Sequence, residues 1–157
     1  MVQLLPRLRR FGRALTHDQP DADDLVQLTV ERALARQGQW RPGTRLDSWM
    51  FGIMRNAWID ESRLRKRRSA ILAPAEEGDR VGEDGAAAME ARLSAGEVHQ
   101  AMAKLPDDQR MAIALVLVEG FSYQDAAEVM QVPVGTLASR IARGRTALVA
   151  QLGQVAP

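Results

Sequence analysis

The sequence predicts an all-α protein, built as two small helical domains joined by a flexible acidic linker. Three observations carry that expectation. Apolar residues recur at intervals of three and four in both halves of the chain, which is the period of an amphipathic helix. Aromatic residues make up only 4% of the 157 residues, and an apolar content built on Ala, Leu, Val and Met suits helical packing better than a β-sandwich. Between the halves, residues 70–91 mix Pro, Gly and acidic residues without sustained periodicity, as a linker does. The expected division is 1–69, 70–91 and 92–152, with a short tail at 153–157.

The first element is a short basic amphipathic helix within LLPRLRRFGRALTHDQ. In the next segment, PDADDLVQLTVERALARQ, Pro20 and the acids Asp21, Asp23 and Asp24 suit a helix N-terminus, where they complement the macrodipole. Ala22, Leu25, Val26, Thr29 and Ala33 then form a buried stripe, and Gly38 permits the stop. Asp24, Gln27, Leu28 and Glu31 are left on or near the opposite face, where a leucine among polar groups is either a partner contact or an ordinary surface residue. After a loop with Pro42 and Gly43, Thr44 and Asp47 give a capping-box-like start to a long helix, LDSWMFGIMRNAWIDESRLRKRR. Trp49 falls with Leu46, Met50, Ile53 and Ala57 on its core face. Arg55, Asn56 and Trp58 fit that face less well, and the helix ends in Arg63, Arg65, Lys66, Arg67 and Arg68. Aromatics beside a basic run suit unpaired bases stacked above a tracked phosphate backbone, and an Asn side chain can read an extruded base edge.

The last elements, FSYQDAAEVMQVPVGTLASRIARGRTAL, read as two helices joined by a tight turn. Ala126, Ala127 and Met130 pack inward, Val132 plugs the bend, and Pro133 suits the start of the following helix. In the second helix Leu137, Ile141 and Leu148 form an apolar stripe, whereas Ser139, Arg140 and Arg143 project elsewhere, with Arg145 a turn further on. That is the layout of a helix-turn-helix that reads duplex DNA, and a helical hairpin with a solvated basic face shares it.

Charge is distributed unevenly. Residues 1–69 contain 14 Lys/Arg against 8 Asp/Glu, residues 70–91 contain 1 against 6, and residues 92–157 contain 6 against 6. The net +1 therefore conceals zones of +6, −5 and 0, and in the last zone three arginines lie beyond the final acid. Nucleic acid has two separate landing sites. With no cysteine there is no disulfide or thiolate metal site, and His17 and His99 lack metal-ligand spacing and read as surface residues. The apolar run from Met111 to Val118 is too short to span a bilayer, and the N-terminus lacks the apolar core of a signal peptide. These features predict a cytoplasmic protein without membrane insertion, metal or cofactor. No nucleophile–base pair points to an enzyme.

The order DADDLVQ, RLDSWMFGIMRNAWIDESRLRKRR, acidic linker and LPDDQRMAIALVLVEGFSYQDAAEVMQVPVGTLASRIARGR resembles a bacterial extracytoplasmic-function sigma factor, over nearly all of Leu4 to Leu152 except the linker. The resemblance implies a promoter-specificity subunit that directs core RNA polymerase and helps open DNA. It places Asp24, Leu25, Gln27, Leu28 and Glu31 at the clamp helices of the polymerase β′ subunit. Arg55, Asn56, Trp58, Arg63, Arg65, Lys66 and Arg67 match the minus-ten contacts, with Asn56 at the captured base. Thr136, Ser139, Arg140, Arg143 and Arg145 match the minus-35 contacts. It also implies an anti-sigma factor as partner, and a linker threading polymerase toward the RNA exit path. Ala138 and Ala142 depart from the pattern, since neither reaches a base edge, and Leu28 replaces a common acid. Gln131 replaces the usual glycine at the helix-turn, where a left-handed backbone costs a non-glycine residue about 1 kcal/mol and the turn is expected to be strained or differently shaped. Two other classes share parts of this layout. A sigma-like decoy that binds only an anti-sigma protein is expected to lack the two basic runs, and a homodimeric helix-turn-helix repressor is expected to bind palindromic duplex without polymerase.

Overall fold

The computed structural model describes residues 2–71 and 95–155. Among them all regular structure is helical: α1 Leu5–Thr16, α2 Gln19–Ala35, α3 Leu46–Ile71, α4 Ala95–Ala103, α5 Asp107–Ile113, α6 Tyr123–Met130 and α7 Val134–Val155. Short 3-10 turns at Val2–Leu4 and Gln37–Gln39 flank the first two helices, and α5 runs on as a π-type turn at Ala114–Val118. The expected linker lies outside the described residues except for Ala70 and Ile71, which extend α3. The expected tail is shortened too, because α7 continues to Val155.

Local chemistry explains the boundaries. The first helix ends where His17 turns left-handed at φ 60°, its N–H donating back to the Arg13 carbonyl. Asp18 then caps α2, its Oδ2 accepting the Asp21 N–H at 3.0 Å, and Pro20 occupies the first turn. The buried face of α2 is Ala22, Leu25, Val26, Thr29 and Ala33, the stripe read from the sequence. Thr29 is tolerated there because its hydroxyl donates to the Leu25 carbonyl at 2.8 Å. Gly12 lets α1 and α2 approach closely, since a Cβ at that position would lie 3.4 Å from both the Cβ and the carbonyl oxygen of Ala22.

The start of α3 differs from the expected capping box. Thr44 Oγ1 donates to the Arg41 carbonyl at 2.7 Å, and Asp47 accepts the neighbouring Ser48 N–H at 2.8 Å together with the guanidiniums of Arg45 and Arg7. Charge-assisted bonds to two arginines outcompete a reciprocal cap at Asp47. Further along, Ser122 caps α6 by accepting the Asp125 N–H at 3.0 Å, and Gln131 adopts the left-handed conformation at φ 59° and ψ 46°, so the turn keeps the shape that glycine usually takes and carries its strain. Leu137 and Ile141 are buried on α7, with Leu148 half-buried beside them.

The two halves share one core, which the sequence did not lead one to expect of separate domains. Phe11 of α1, Phe51 of α3 and Phe121 before α6 form a continuous aromatic stack, with centroid separations of 5.1 Å at both contacts. Helix α3 packs on α6, and α1 packs on α4 and α5. Burying such a ring contributes about 1.5–3 kcal/mol, so the seam is a packed interface and not a chance encounter of two units.

Candidate nucleic-acid and polymerase interface

A layer of ion pairs surrounds the aromatic stack at the seam. Glu119, whose side chain is fully covered, receives Arg10 through two bonds of 2.8 Å and Arg7 at 3.3 Å. This hydrogen bonding raises the Arg10 pKa above its ordinary value. Arg45 reaches across from the start of α3 to Asp125 on α6 and also holds Asp47 at 2.7 Å. Burial pushes the Asp47 carboxyl up, but hydrogen bonds from Arg45, Arg7 and the Ser48 N–H outweigh it and leave the pKa below the ordinary range. Arg7 and Arg45 also lie over the Phe121 ring, each with its guanidinium carbon 5.4 Å from the centroid.

Arg110 is the seam's buried cation, 4% exposed. It donates to the Leu105 carbonyl at 2.8 Å, to the Leu15 carbonyl of α1 at 3.3 Å and to Asp107 at 2.7 Å, and faces the Trp58 ring of α3. Beside it His17 and His99 meet across the seam, His17 Nδ1 lying 3.4 Å from His99 Nε2. Neither is the free surface residue expected from the sequence. Desolvation, then Arg110 and His99, lower the His17 pKa to about 4, and desolvation followed by Arg13 and Arg110 lowers that of His99.

The expected contact residues divide around this seam. On α2, Asp24, Gln27 and Glu31 are exposed. Leu28 is only half-buried, and it lines a groove of about 210 Å³ with Trp58 and Arg65, so it is less free than an outward leucine would be. Leu25, also expected at the polymerase face, is 4% exposed and belongs to the core; it can support that face but not present itself to a partner.

On α3, Arg63, Arg65, Lys66 and Arg67 are exposed, with Arg65 paired to Asp21 at 2.9 Å. Arg55, Asn56 and Trp58 are half-buried at the seam instead of on an open face. Arg55 Nη1 donates to Asn56 Oδ1 at 2.9 Å, and Asn56 lines the cleft between α3 and α6. Desolvation, with Arg140 and Arg63 nearby, lowers the Arg55 pKa. On α7, Ser139, Arg143 and Arg145 are exposed, while Thr136 and Arg140 are partly covered. Arg140 pairs with Asp108 at 3.3 Å and lines a cleft together with Arg55.

Sequence reasoning missed the seam residues Arg7, Arg10, Arg45, Arg110 and Glu119. Glu119 alone carried a signal, as an acid that closes the apolar run before Gly120. The others sit in basic or helical stretches where nothing local marks a partner from the other half.

Comparisons place this geometry among known proteins. Residues 1–55 match the family described as the Sigma2 domain of PhyR, and residues 95–148 match Sigma-70, region 4. The chain is 39% identical over 152 residues to the ECF RNA polymerase sigma factor EcfG of Rhodopseudomonas palustris, covering 97% of this chain and 82% of that protein. Against the ECF RNA polymerase sigma factor SigM of Mycobacterium tuberculosis it is 34% identical over 147 residues, covering 94% and 72%. Among solved structures, the sigma factor RpoE of Bartonella quintana, crystallised with the anti-sigma factor NepR, matches with a TM-score of 0.82 at 33% identity, over 97% of this chain and 93% of that one. Two half-chains with basic helical surfaces, each matching one sigma region in the right order, lead to one conclusion: the chain belongs to the extracytoplasmic-function sigma factors, which direct core RNA polymerase to specific promoters and promote DNA opening.

Proposed function

We propose that the two basic helices divide promoter recognition between them. Asn56, with Arg55 and Trp58, captures an unpaired base of the minus-ten element, while Arg63, Arg65, Lys66 and Arg67 hold the adjoining phosphates. Thr136, Ser139, Arg140, Arg143 and Arg145 of α7 read the minus-35 duplex in the major groove. The outer face of α2, Asp24, Gln27, Leu28 and Glu31, docks on the β′ clamp helices. The carrying observation is that each half presents arginines outward on a long helix, Arg63 to Arg68 near the end of α3 and Arg143 and Arg145 midway along α7. The protein itself carries out no catalysis in this reading, and it works where polymerase and chromosome are, in the cytoplasm.

The packed seam bears on how this works. The two promoter elements lie about 25 base pairs apart, roughly 80 Å of duplex, whereas Arg55 and Arg140 line one cleft. Both elements can be gripped at once only after the halves separate. An anti-sigma partner that favours the closed arrangement would hold the protein inactive, a role supported by the likeness to a sigma factor crystallised with its anti-sigma factor.

Permanganate footprinting of holoenzyme on a cognate promoter tests the central assignment. Asn56→Ala is expected to reduce the reactivity of promoter thymines while leaving co-purification with core polymerase intact, because it removes a base-edge partner and not the α2 face. Unchanged thymine reactivity would remove Asn56 from the mechanism.

A further inference from the structure

The cleft that brings Arg55 and Arg140 together gathers, in the closed arrangement, cations that promoter reading assigns to two separate DNA elements, and here they face one another with a surplus of positive charge. It measures about 260 Å³ and is formed by both halves, with α3 on one side and α5 and α7 on the other. Its ionisable lining is Arg55, Arg63, Lys66 and Arg140 against Asp107 and Asp108, four cations facing two carboxylates, a surplus of two positive charges. Both carboxylates are already engaged, Asp107 by Arg110 at 2.7 Å and Asp108 by Arg140 at 3.3 Å. Among the described residues, no carboxylate pairs with Arg55, Arg63 or Lys66.

Arg55 is the group most in need of an anion. Its Nε is buried and has no hydrogen-bond acceptor among the described residues. Among the described residues, the only bond its guanidinium makes is with the neutral amide of Asn56. Burying a guanidinium without a matched acceptor is costly, and its neighbours Arg63 and Arg140 add like charge. An anion held between the Arg55 and Arg140 guanidiniums would offset the repulsion among these cations, in the planar geometry that guanidinium offers to phosphoryl oxygens.

We propose that this cleft is a binding site for a diphosphate-type anion, built from both halves and complete only when they are closed. A surplus of two charges matches a small phosphoryl dianion or trianion better than a carboxylate. The volume lies just below the usual range for organic ligand pockets, about 300–1,000 Å³, and so suits a diphosphate group with little else enclosed. Two sources carry this group, free pyrophosphate and a nucleoside diphosphate. In the second case Trp58, which also lines the cleft, offers a face for a base. Because the cations come from both halves, a bound diphosphate stabilises the closed arrangement by mass action.

The test uses the full-length protein without DNA or polymerase, so that its failure leaves the promoter assignment standing. Pyrophosphate, ADP, GDP and sulfate are titrated calorimetrically at fixed ionic strength, with circular dichroism confirming that each variant is folded. Pyrophosphate is expected to bind once per chain, at least tenfold more tightly than sulfate, and to raise the melting temperature. Arg55→Gln and Arg140→Gln, one from each half, are each expected to weaken it at least tenfold, whereas Arg9→Gln, an exposed arginine of α1 away from the cleft, changes it less than twofold. Tighter binding of ADP or GDP than of pyrophosphate identifies the nucleotide as the source; equal or weaker binding identifies the free anion. Pyrophosphate bound no better than sulfate, or an equal loss from Arg9→Gln, would overturn the site and leave only diffuse charge attraction.

Discussion

The two basic helices, α3 and α7, are alike in a way that neither sequence segment announces. Each has one stretch inside the seam and one outside it. On α3 the inner stretch is Arg55, Asn56 and Trp58 and the outer one is Arg63 to Arg68, of which Arg63 and Lys66 border the cleft but stay exposed; on α7 the inner residues are Thr136 and Arg140 and the outer ones Arg143 and Arg145. The difference between inner and outer stretches is chemical. Outer arginines stand in water and suit phosphates, which need charge but little orientation. Inner groups are fixed by neighbours, Asn56 by Arg55 and Arg140 by Asp108, and they include the groups assigned to base reading. Closure therefore covers the specific contacts and leaves the non-specific ones free. A closed chain is expected to bind DNA weakly and without preference, and promoter selectivity is expected to appear on opening.

The strongest way to break this comparison is to remove the cation that ties α1, α3 and α5 together. Arg110→Met takes the charge away from Asp107 and leaves the Leu15 and Leu105 carbonyls without their donor. It is expected to cost about 1–3 kcal/mol in urea unfolding, the penalty for leaving buried carbonyls without a donor, since Asp107 is half exposed and water can take the place of its partner. A loss under about 1 kcal/mol would mean that the seam opens readily without it.

A second experiment sharpens the inner–outer distinction on α7 itself. Holoenzyme binding to minus-35 variants, measured across salt concentrations, is expected to separate two arginines on one helix. Arg140→Ala should cost about 1–3 kcal/mol and relax preference at one base position, while Arg143→Ala should weaken all promoters alike and reduce the salt slope by about one. Identical profiles for the two variants would erase the distinction.

Smaller effects test how closely α7 is seated. Gly144 lies on its buried face, where an added Cβ would stand 3.2 Å from Ile113 Cγ1 and closer still to Cδ1. In an open helix Gly→Ala gains about 0.5–1 kcal/mol, but here overpacking costs about 1–3 kcal/mol. Gly144→Ala is expected to be destabilising by about 1 kcal/mol in thermal melts; a stabilised variant would show that Ile113 yields freely.

The smallest effect is that of pH on closure. His17 and His99 must shed their protons to sit together beside Arg110 and Arg13, with Asp107 opposing at His17, and closure holds the His17 pKa near 4 against an ordinary 6.5. Because the depressed group binds fewer protons when closed, its contribution to closure is complete above about pH 6.5 and declines as pH falls toward 4. Both rings are partly exposed, so the shift in the open fraction is expected to stay within about tenfold. The chain has no cysteine, so dye pairs placed on introduced cysteines in each half can report it by energy transfer. A His17→Gln variant is expected to flatten the profile, and an unchanged slope would assign the pH effect to other groups.

The sequence by itself determined helices α1, α2, α3, α6 and α7, the α2 stripe and the place of the turn before Pro133, and through its resemblance to a known family the order of the two sigma regions. These depend on neighbours within about one or two helical turns, through periodicity, caps and fixed backbone angles, and such information is local. It could also say which residue types are able to bind phosphate or read a base. It could not say which of them are free. Arg55 and Arg65 look equivalent along the chain, as do Arg140 and Arg143; only the packing of α3 against α6, which brings α5 and α7 to the same cleft, puts one of each pair in a seam and the other in water. The same holds for Leu25, for Glu119 and for His17, whose partners lie on other helices, as far as 112 residues away in the case of Glu119 and Arg7. Helical periodicity fixes which way a side chain faces its own helix axis, but what stands opposite is set by how the helices come together.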